Sequence, residues 1–183
     1  MRHLAKRARV TLVGPNSSGL LSPGRAKAGF FSEDICLTGN VGVVTKSGSL
    51  AYAVMAEMKS AGIGISTVVA IGGDTVKGID FCEPLALFQA DPETKAIVLL
   101  GEIGGADEEN AAAYIQETGI AKPVVAFISG RSVPRGQSMG HAGAIADRQW
   151  GDYHSKHRSL AGAGVHIVEN IGEIPGILKR WPA

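Results

Sequence analysis

The sequence predicts an open, doubly wound α/β domain built on a parallel sheet. Three observations carry that prediction: short β-branched runs recur from residue 41 onward, helical stretches alternate with them, and glycine-rich segments follow several of the runs. Continuous apolar runs suit strands buried on both faces, and intervening helices supply the crossovers that parallel neighbours need.

Before those runs, Val10-Thr11-Leu12-Val13 reads as a brief apolar strand ending in the turn Gly14-Pro15-Asn16. From Ser17 to Asn40 there are glycines, a proline and little periodicity, which predicts an extended connector. A strand with nothing before it reads like the last strand of a domain whose remainder is missing. The chain therefore divides into a preface over residues 1–40 and a domain over residues 41–183.

That domain opens with the strand Val41-Gly42-Val43-Val44-Thr45 and an amphipathic helix from Leu50 to Ala61. Thr67-Val68-Val69-Ala70-Ile71 is the next strand, with a helical stretch around Cys82 to Ala90. Ala96-Ile97-Val98-Leu99-Leu100 follows, then a helix from Asp107 to Thr118. Pro123-Val124-Val125-Ala126-Phe127-Ile128 is the fourth strand, and His154 to Ala163 a helix. Val165-His166-Ile167-Val168 is the fifth, and a last helix begins near Ile171. Five such units make a flavodoxin-like sheet with helices on both faces.

Composition excludes several function classes. Hydrophobic residues make up 45% and charged residues 19% of the 183, and the net charge is +1. Such a chain can bury a core and has no charge excess to recruit nucleic acid or an anionic membrane. The basic start Arg2 to Arg9 lacks a secretory apolar stretch and cleavage site, and reads as a solvated, frayed terminus. No apolar run approaches the length of a membrane span. Two cysteines, Cys36 and Cys82, make neither a disulfide framework nor a metal cluster, so a reducing cytoplasm is the default compartment. His154, His157 and His166 lack metal-ligand companions at suitable spacing and read as solvated or capping residues.

In a doubly wound sheet, ligands sit beyond the carboxyl ends of the strands. The first strand ends in Lys46-Ser47-Gly48-Ser49 and enters a helix, whose free amides and dipole form an anion cradle. The same residues also read as an ordinary N-cap. The second strand ends in Gly72-Gly73-Asp74, a tight turn. The third ends in Gly101-Glu102-Ile103-Gly104-Gly105, which reads either as a surface glutamate or as a carboxylate partner for an imidazole. Asp107-Glu108-Glu109 opens a helix and is explained by the helix dipole. The fourth strand leads through Ser129-Gly130-Arg131 and the run Pro134-Arg135-Gly136-Gln137-Ser138-Met139 to Gly140-His141-Ala142-Gly143. Gly140 and Gly143 would let a bulky anion approach the backbone beside His141. An ordinary loop histidine is the bland alternative. An amide cradle, a carboxylate and a glycine-flanked histidine could meet at one sheet edge.

These segments, with Gly14-Pro15-Asn16 and Ala144-Ile145, stand in the order found in the succinyl-CoA synthetase α-subunit family, the nucleoside-diphosphate-forming acyl-CoA ligases, and the chain resembles that family over most of its length. The resemblance implies that His141 is transiently phosphorylated and that Glu102 holds it. It implies that Ser47, Gly48 and Ser49 bind the phosphoryl group, with Gly140 and Gly143 beside it, and that Tyr52 and Asn16 belong to a substrate site. It further implies CoA and a small organic acid as co-substrates, and ATP or GTP with Mg2+ held by an ATP-grasp β subunit, with no cofactor bound tightly by this chain. Whether the chain also forms a homo-oligomer stays open.

The resemblance has departures. The family's N-terminal CoA-binding domain is represented only by its apparent last strand, so this chain should bind CoA weakly or not at all. After Ile145, many relatives carry a glycine-rich stretch where this chain reads Ala146-Asp147-Arg148-Gln149-Trp150-Gly151-Asp152-Tyr153-His154. Ser17-Ser18 follows Asn16 where close succinyl-CoA synthetases have Cys-Pro, which leaves the acid substrate open. Trp150 and Tyr153 read as cover for an apolar surface or as part of a partner interface. Two function classes result: a ligase component that works with a partner, or a non-catalytic interaction module that kept the fold.

Overall fold

The computed structural model of the chain describes residues 2–134, 137, 139–145 and 151–181, the side chains of Arg2 and Lys6 apart. The expected loop residues Arg135, Gly136 and Ser138 and the segment Ala146–Trp150 lie outside the described residues. The first helix, α1, spans Arg2–Ala8. A hairpin follows, β1 over Gly19–Ser22 and β2 over Ala26–Gly29. Then come β3 (Thr38–Thr45), α2 (Gly48–Ser60), β4 (Ile65–Ala70), α3 (Cys82–Ala90) and β5 (Ala96–Glu102). The chain continues through α4 (Asp107–Thr118), β6 (Val124–Ser129), α5 (Tyr153–Gly162), β7 (His166–Val168) and α6 (Ile174–Leu178).

One sheet holds all seven strands in the order β2-β1-β4-β3-β5-β6-β7. The five expected strands are β3 to β7, and every pairing among them is parallel. Their order is the flavodoxin-like 2-1-3-4-5, which reverses direction between β3 and β5.

Alternation along the strands sorts the core into two layers. On β5, Ala96, Val98 and Leu100 face the layer that contains α2 and α6. Ile97 and Leu99 face the layer that contains α3, α4 and α5. All seven residues of β5 are buried, as a central strand covered on both faces requires.

The preface corrects three expectations. Val10–Val13 is not a strand: no described strand pairs with it, and an apolar run without a ladder gains nothing from extension. The connector contains the β1–β2 hairpin, which adds to the sheet edge by antiparallel pairing of Leu20 and Leu21 with Val69 and Val68. The basic start is helical rather than frayed. No helix among the described residues is long and apolar enough to cross a membrane.

Local sequence explains the helix ends that matter. Ser47 is extended and its Oγ accepts the Leu50 N–H at 3.3 Å, so it is the N-cap of α2. Asp152 caps α5 in the same way through Ser155 N–H at 2.7 Å. Gly119 ends α4 in the left-handed region at φ 65°, where a side chain would be strained.

Candidate active site

The carboxyl end of β5 presents Glu102, and the segment between β6 and α5 presents His141. His141 Nδ1 stands 2.8 Å from Glu102 Oε2. The carboxylate is 5% exposed and the imidazole 29%, so a buried acceptor meets a ring that solvent or a partner can reach. An ionised carboxylate only accepts, so in this pair Nδ1 is the donor. Burial pushes Glu102 above the ordinary carboxylate value; the hydrogen bond from His141 and the charge of Lys46 pull it back.

Gly73, on the loop after β4, forms the floor under the ring. A methyl group at that position would lie 2.5 Å from His141 Cγ and Nδ1. The loop is braced from two sides. Asn16 accepts the Gly73 N–H through its carbonyl at 3.2 Å and donates its side-chain amide to Asp74 Oδ1 at 3.2 Å. Gly143 N–H donates to the Gly73 carbonyl at 3.3 Å. Asn16 therefore shapes the site as a brace, and the Gly143 amide serves loop closure. Gly140 turns the chain into His141 at φ 97°.

A cavity of about 260 Å³ adjoins the pair, lined by Glu102, Gly73, Gly143, Lys46, Lys77 and Asp107 with neighbouring loop residues. A larger one of about 340 Å³ lies around Asn40, Gly62, Gly64 and Lys95. That one is lined by neither member of the His141–Glu102 pair, whereas Glu102 lines the smaller cavity. Ser47, Gly48 and Ser49 do not line either, although Lys46 just before them lines the first. Ser18 packs on this helix start, its Oγ only 2.0 Å from where a Gly48 Cβ would stand. Tyr52 donates its hydroxyl to the Phe30 carbonyl at 2.7 Å and ties α2 to the end of the hairpin.

Behind Glu102 lies a buried charge network. Lys46 Nζ is 2.9 Å from Glu108 Oε1 and 3.0 Å from Asp107 Oδ2. Lys77 pairs with Asp107 at 2.7 Å. Lys156, wholly buried on α5, pairs with Glu108 and reaches Glu109 at 3.0 Å. Burial would raise Asp107 and Glu108, but Lys46, with Lys77 at the first and Lys156 at the second, holds both below their ordinary values. Burial would likewise lower Lys46, and Glu108 and Asp107 more than offset it. Glu108 is thus not a solvated dipole partner of α4, as its place in the first turn suggests, but a fully buried ion-pair member. Sequence reading passed over Lys46, Lys77 and Lys156 as chemistry. No group of three or more potential metal ligands occurs among the described residues.

The CoA-ligase family model matches residues 44–166. A succinate–CoA ligase [ADP-forming] subunit alpha of Archaeoglobus fulgidus is 46% identical over 169 residues, covering 92% of this chain and 57% of its own length. The malate–CoA ligase subunit alpha of Methylorubrum extorquens is 43% identical, covering 94% of this chain and 58% of its own length. The chain thus spans little more than half the length of these relatives. Among solved structures, a Methanosaeta concilii ATP citrate lyase in complex with (3S)-citryl-CoA superposes with a TM-score of 0.88 at 27% identity, over 98% of this chain and 31% of that one. A dinucleotide-forming acetyl-coenzyme A synthetase of Ca. Korarchaeum cryptofilum, in complex with phosphate and ADP, gives 0.77 at 26% identity, over 94% and 36%. With 123 consecutive residues under the family model, the chain belongs to the CoA-ligase family, as an α-subunit-like domain of the ADP-forming CoA ligases.

Proposed function

We propose that this domain relays a phosphoryl group through His141 in an acid–thiol ligase that forms acyl-CoA at the expense of a nucleoside triphosphate. The observation that carries the reading is the 2.8 Å contact between His141 Nδ1 and Glu102 Oε2. A carboxylate on one ring nitrogen fixes the tautomer and makes the other nitrogen the nucleophile. In the first step Nε2 attacks the terminal phosphorus: the N–P bond forms, the P–O bond to the diphosphate breaks, and the diphosphate leaves with the electron pair. Nδ1 keeps its proton and Glu102 balances the charge that develops on the ring. In the second step a carboxylate of the acid substrate takes the phosphoryl group and frees Nε2. The CoA thiol, losing its proton, then attacks the acyl carbon and releases phosphate. Division into two transfers lets distant sites share one mobile carrier.

The nucleotide, ATP or GTP with Mg2+, is assigned to an ATP-grasp β subunit, and CoA to parts of the ligase outside the matched domain. Support for a β partner comes from relatives that are named as α subunits. The first helical amides of α2, at Gly48 and Ser49, are assigned as an anion cradle because a helix start presents unpaired donors. Asn16 and Tyr52 are assigned to substrate binding: Asn16 braces the loop under His141, and Tyr52 ties α2 to the end of the hairpin.

The test is reconstitution. The chain, a co-expressed β subunit and nucleoside triphosphate labelled in the terminal phosphate should give acid-labile label on this chain, and the chain alone should give none. Acid-stable label, or no label with a partner that binds nucleotide, contradicts the proposal.

A further inference from the structure

We propose that Glu108 and Lys156 are positioning residues for the His141–Glu102 pair: their buried ion pair sets the strand end that carries Glu102 against the segment that carries His141. The kinetic part of the test rests on the phosphoryl relay proposed above; the spectroscopic part does not.

Glu108 reaches back from the first turn of α4, and its Oε1 accepts the Glu102 backbone N–H at 3.1 Å. That bond fixes the residue whose side chain holds the imidazole. The approach depends on Gly101, where an added Cβ would lie 2.8 Å from Glu108 Cγ and Oε1. Lys156 comes from α5, the helix on which the His141 segment ends. Its ammonium pairs with Glu108 and donates to the Gly105 carbonyl at 2.9 Å. Gly104 N–H donates to the Gly151 carbonyl at 2.8 Å, just before the α5 cap. One ammonium thus joins the start of α5, the start of α4 and the loop after Glu102.

A purely structural role would not call for charges here. Replacing a buried ion pair by apolar groups of similar volume is often neutral or stabilising, so its use is better explained by registry. Both ends of this pair are wholly buried, and both touch the Glu102–Gly105 backbone.

The experiment uses the full chain with 15N-labelled histidine. In the wild type, the His141 ring should give the signature of one tautomer, protonated at Nδ1. Lys156→Met, which keeps the aliphatic stem, should stay folded by circular dichroism and shift His141 to a mixture of tautomers. With the β partner, kcat for His141 labelling should fall about 10–100-fold, the range typical of lost orienting partners, while KM for nucleotide stays unchanged. Should Lys156→Met fail to fold, the double variant Lys156→Met/Glu108→Gln, which removes both charges of the pair, carries the same two readouts. Wild-type ring signals and wild-type kcat in a folded variant overturn the proposal. Loss of fold in both variants assigns the pair to stability and also overturns it. A changed tautomer in a chain that is never labelled upholds the positioning and refutes the relay.

Discussion

Replacing Gly73 by alanine places a methyl group 2.5 Å from both Cγ and Nδ1 of His141. Carbon atoms pack at about 3.5–4.0 Å, so one neighbour must yield by roughly 1 Å. Gly73 lies outside the left-handed region, so its backbone accepts alanine, and the ring is the part free to move. A displacement of about 1 Å stretches the 2.8 Å contact to Glu102 past the roughly 3.5 Å limit of a hydrogen bond. Misplacement on that scale costs about 10²-fold in rate. Stability changes by a similar or smaller free energy. Alanine stabilises by about 0.4–1 kcal/mol through the unfolded chain, against about 1.5–3 kcal/mol for a lost bond to a charged group. A net loss of roughly 0.5–2.6 kcal/mol lowers Tm by about 1–10 °C in a domain of this size. The assay pairs the initial rate of His141 labelling, in the presence of the β partner, with a thermal melt. A wild-type labelling rate in Gly73→Ala would refute the reasoning, because the floor under the ring would then not hold it.

Glu102→Gln removes the charge that orients His141 and should slow labelling by about 10²–10⁴-fold while leaving the nucleophile in place; a rate within threefold of wild type, on the order of 0.6 kcal/mol, sinks the assigned role. Acid stability follows from Asp107 and Glu108, which the lysines hold below their ordinary values of 3.8 and 4.5. Their contribution is fully present above those values and is lost as pH falls through the lower folded ones; Glu102, raised by burial, acts with the opposite sign. Tm should therefore fall as pH drops from about 5 toward 3, and a flat profile there contradicts the network. The Cys82 thiol, pushed up to about 12 by burial and by Asp80, should alkylate far more slowly at pH 8 than a free thiol, and equal rates contradict its placement.

Much of this arrangement is legible in the sequence, for physical reasons that also mark where reading fails. Strands buried on both faces must be apolar throughout, so β5, β6 and the Val41–Thr45 part of β3 announce themselves. The β1–β2 hairpin does not. Only Leu21 is buried in β1 and every residue of β2 is exposed, so neither strand needs an apolar pattern. The turn at Pro23-Gly24 was the available signal. Val10–Val13 errs in the other direction, because an apolar run becomes a strand only where a neighbour supplies hydrogen bonds. The proximity of Glu102 and His141 follows from topology, since adjacent parallel strands bring their carboxyl ends together. The charge network escaped because lysine and glutamate are ordinarily surface residues. Its trace is in helical spacing. Glu108 shares the buried stripe of α4 with Ala111, Ala112 and Ile115, and Lys156 that of α5 with Tyr153 and Leu160. A lone acid and a lone base on the apolar stripes of two contacting helices point to each other.

The most direct test of the account is to locate the phosphate. The chain is labelled with 15N histidine, phosphorylated in the presence of its β partner and nucleoside triphosphate, and examined by 15N and 31P NMR at alkaline pH, with His141→Asn as control. The account predicts one phosphohistidine, on Nε2 of His141, because Nδ1 is engaged by Glu102 at 2.8 Å. Phosphate on Nδ1, on another residue, or surviving in His141→Asn would contradict it.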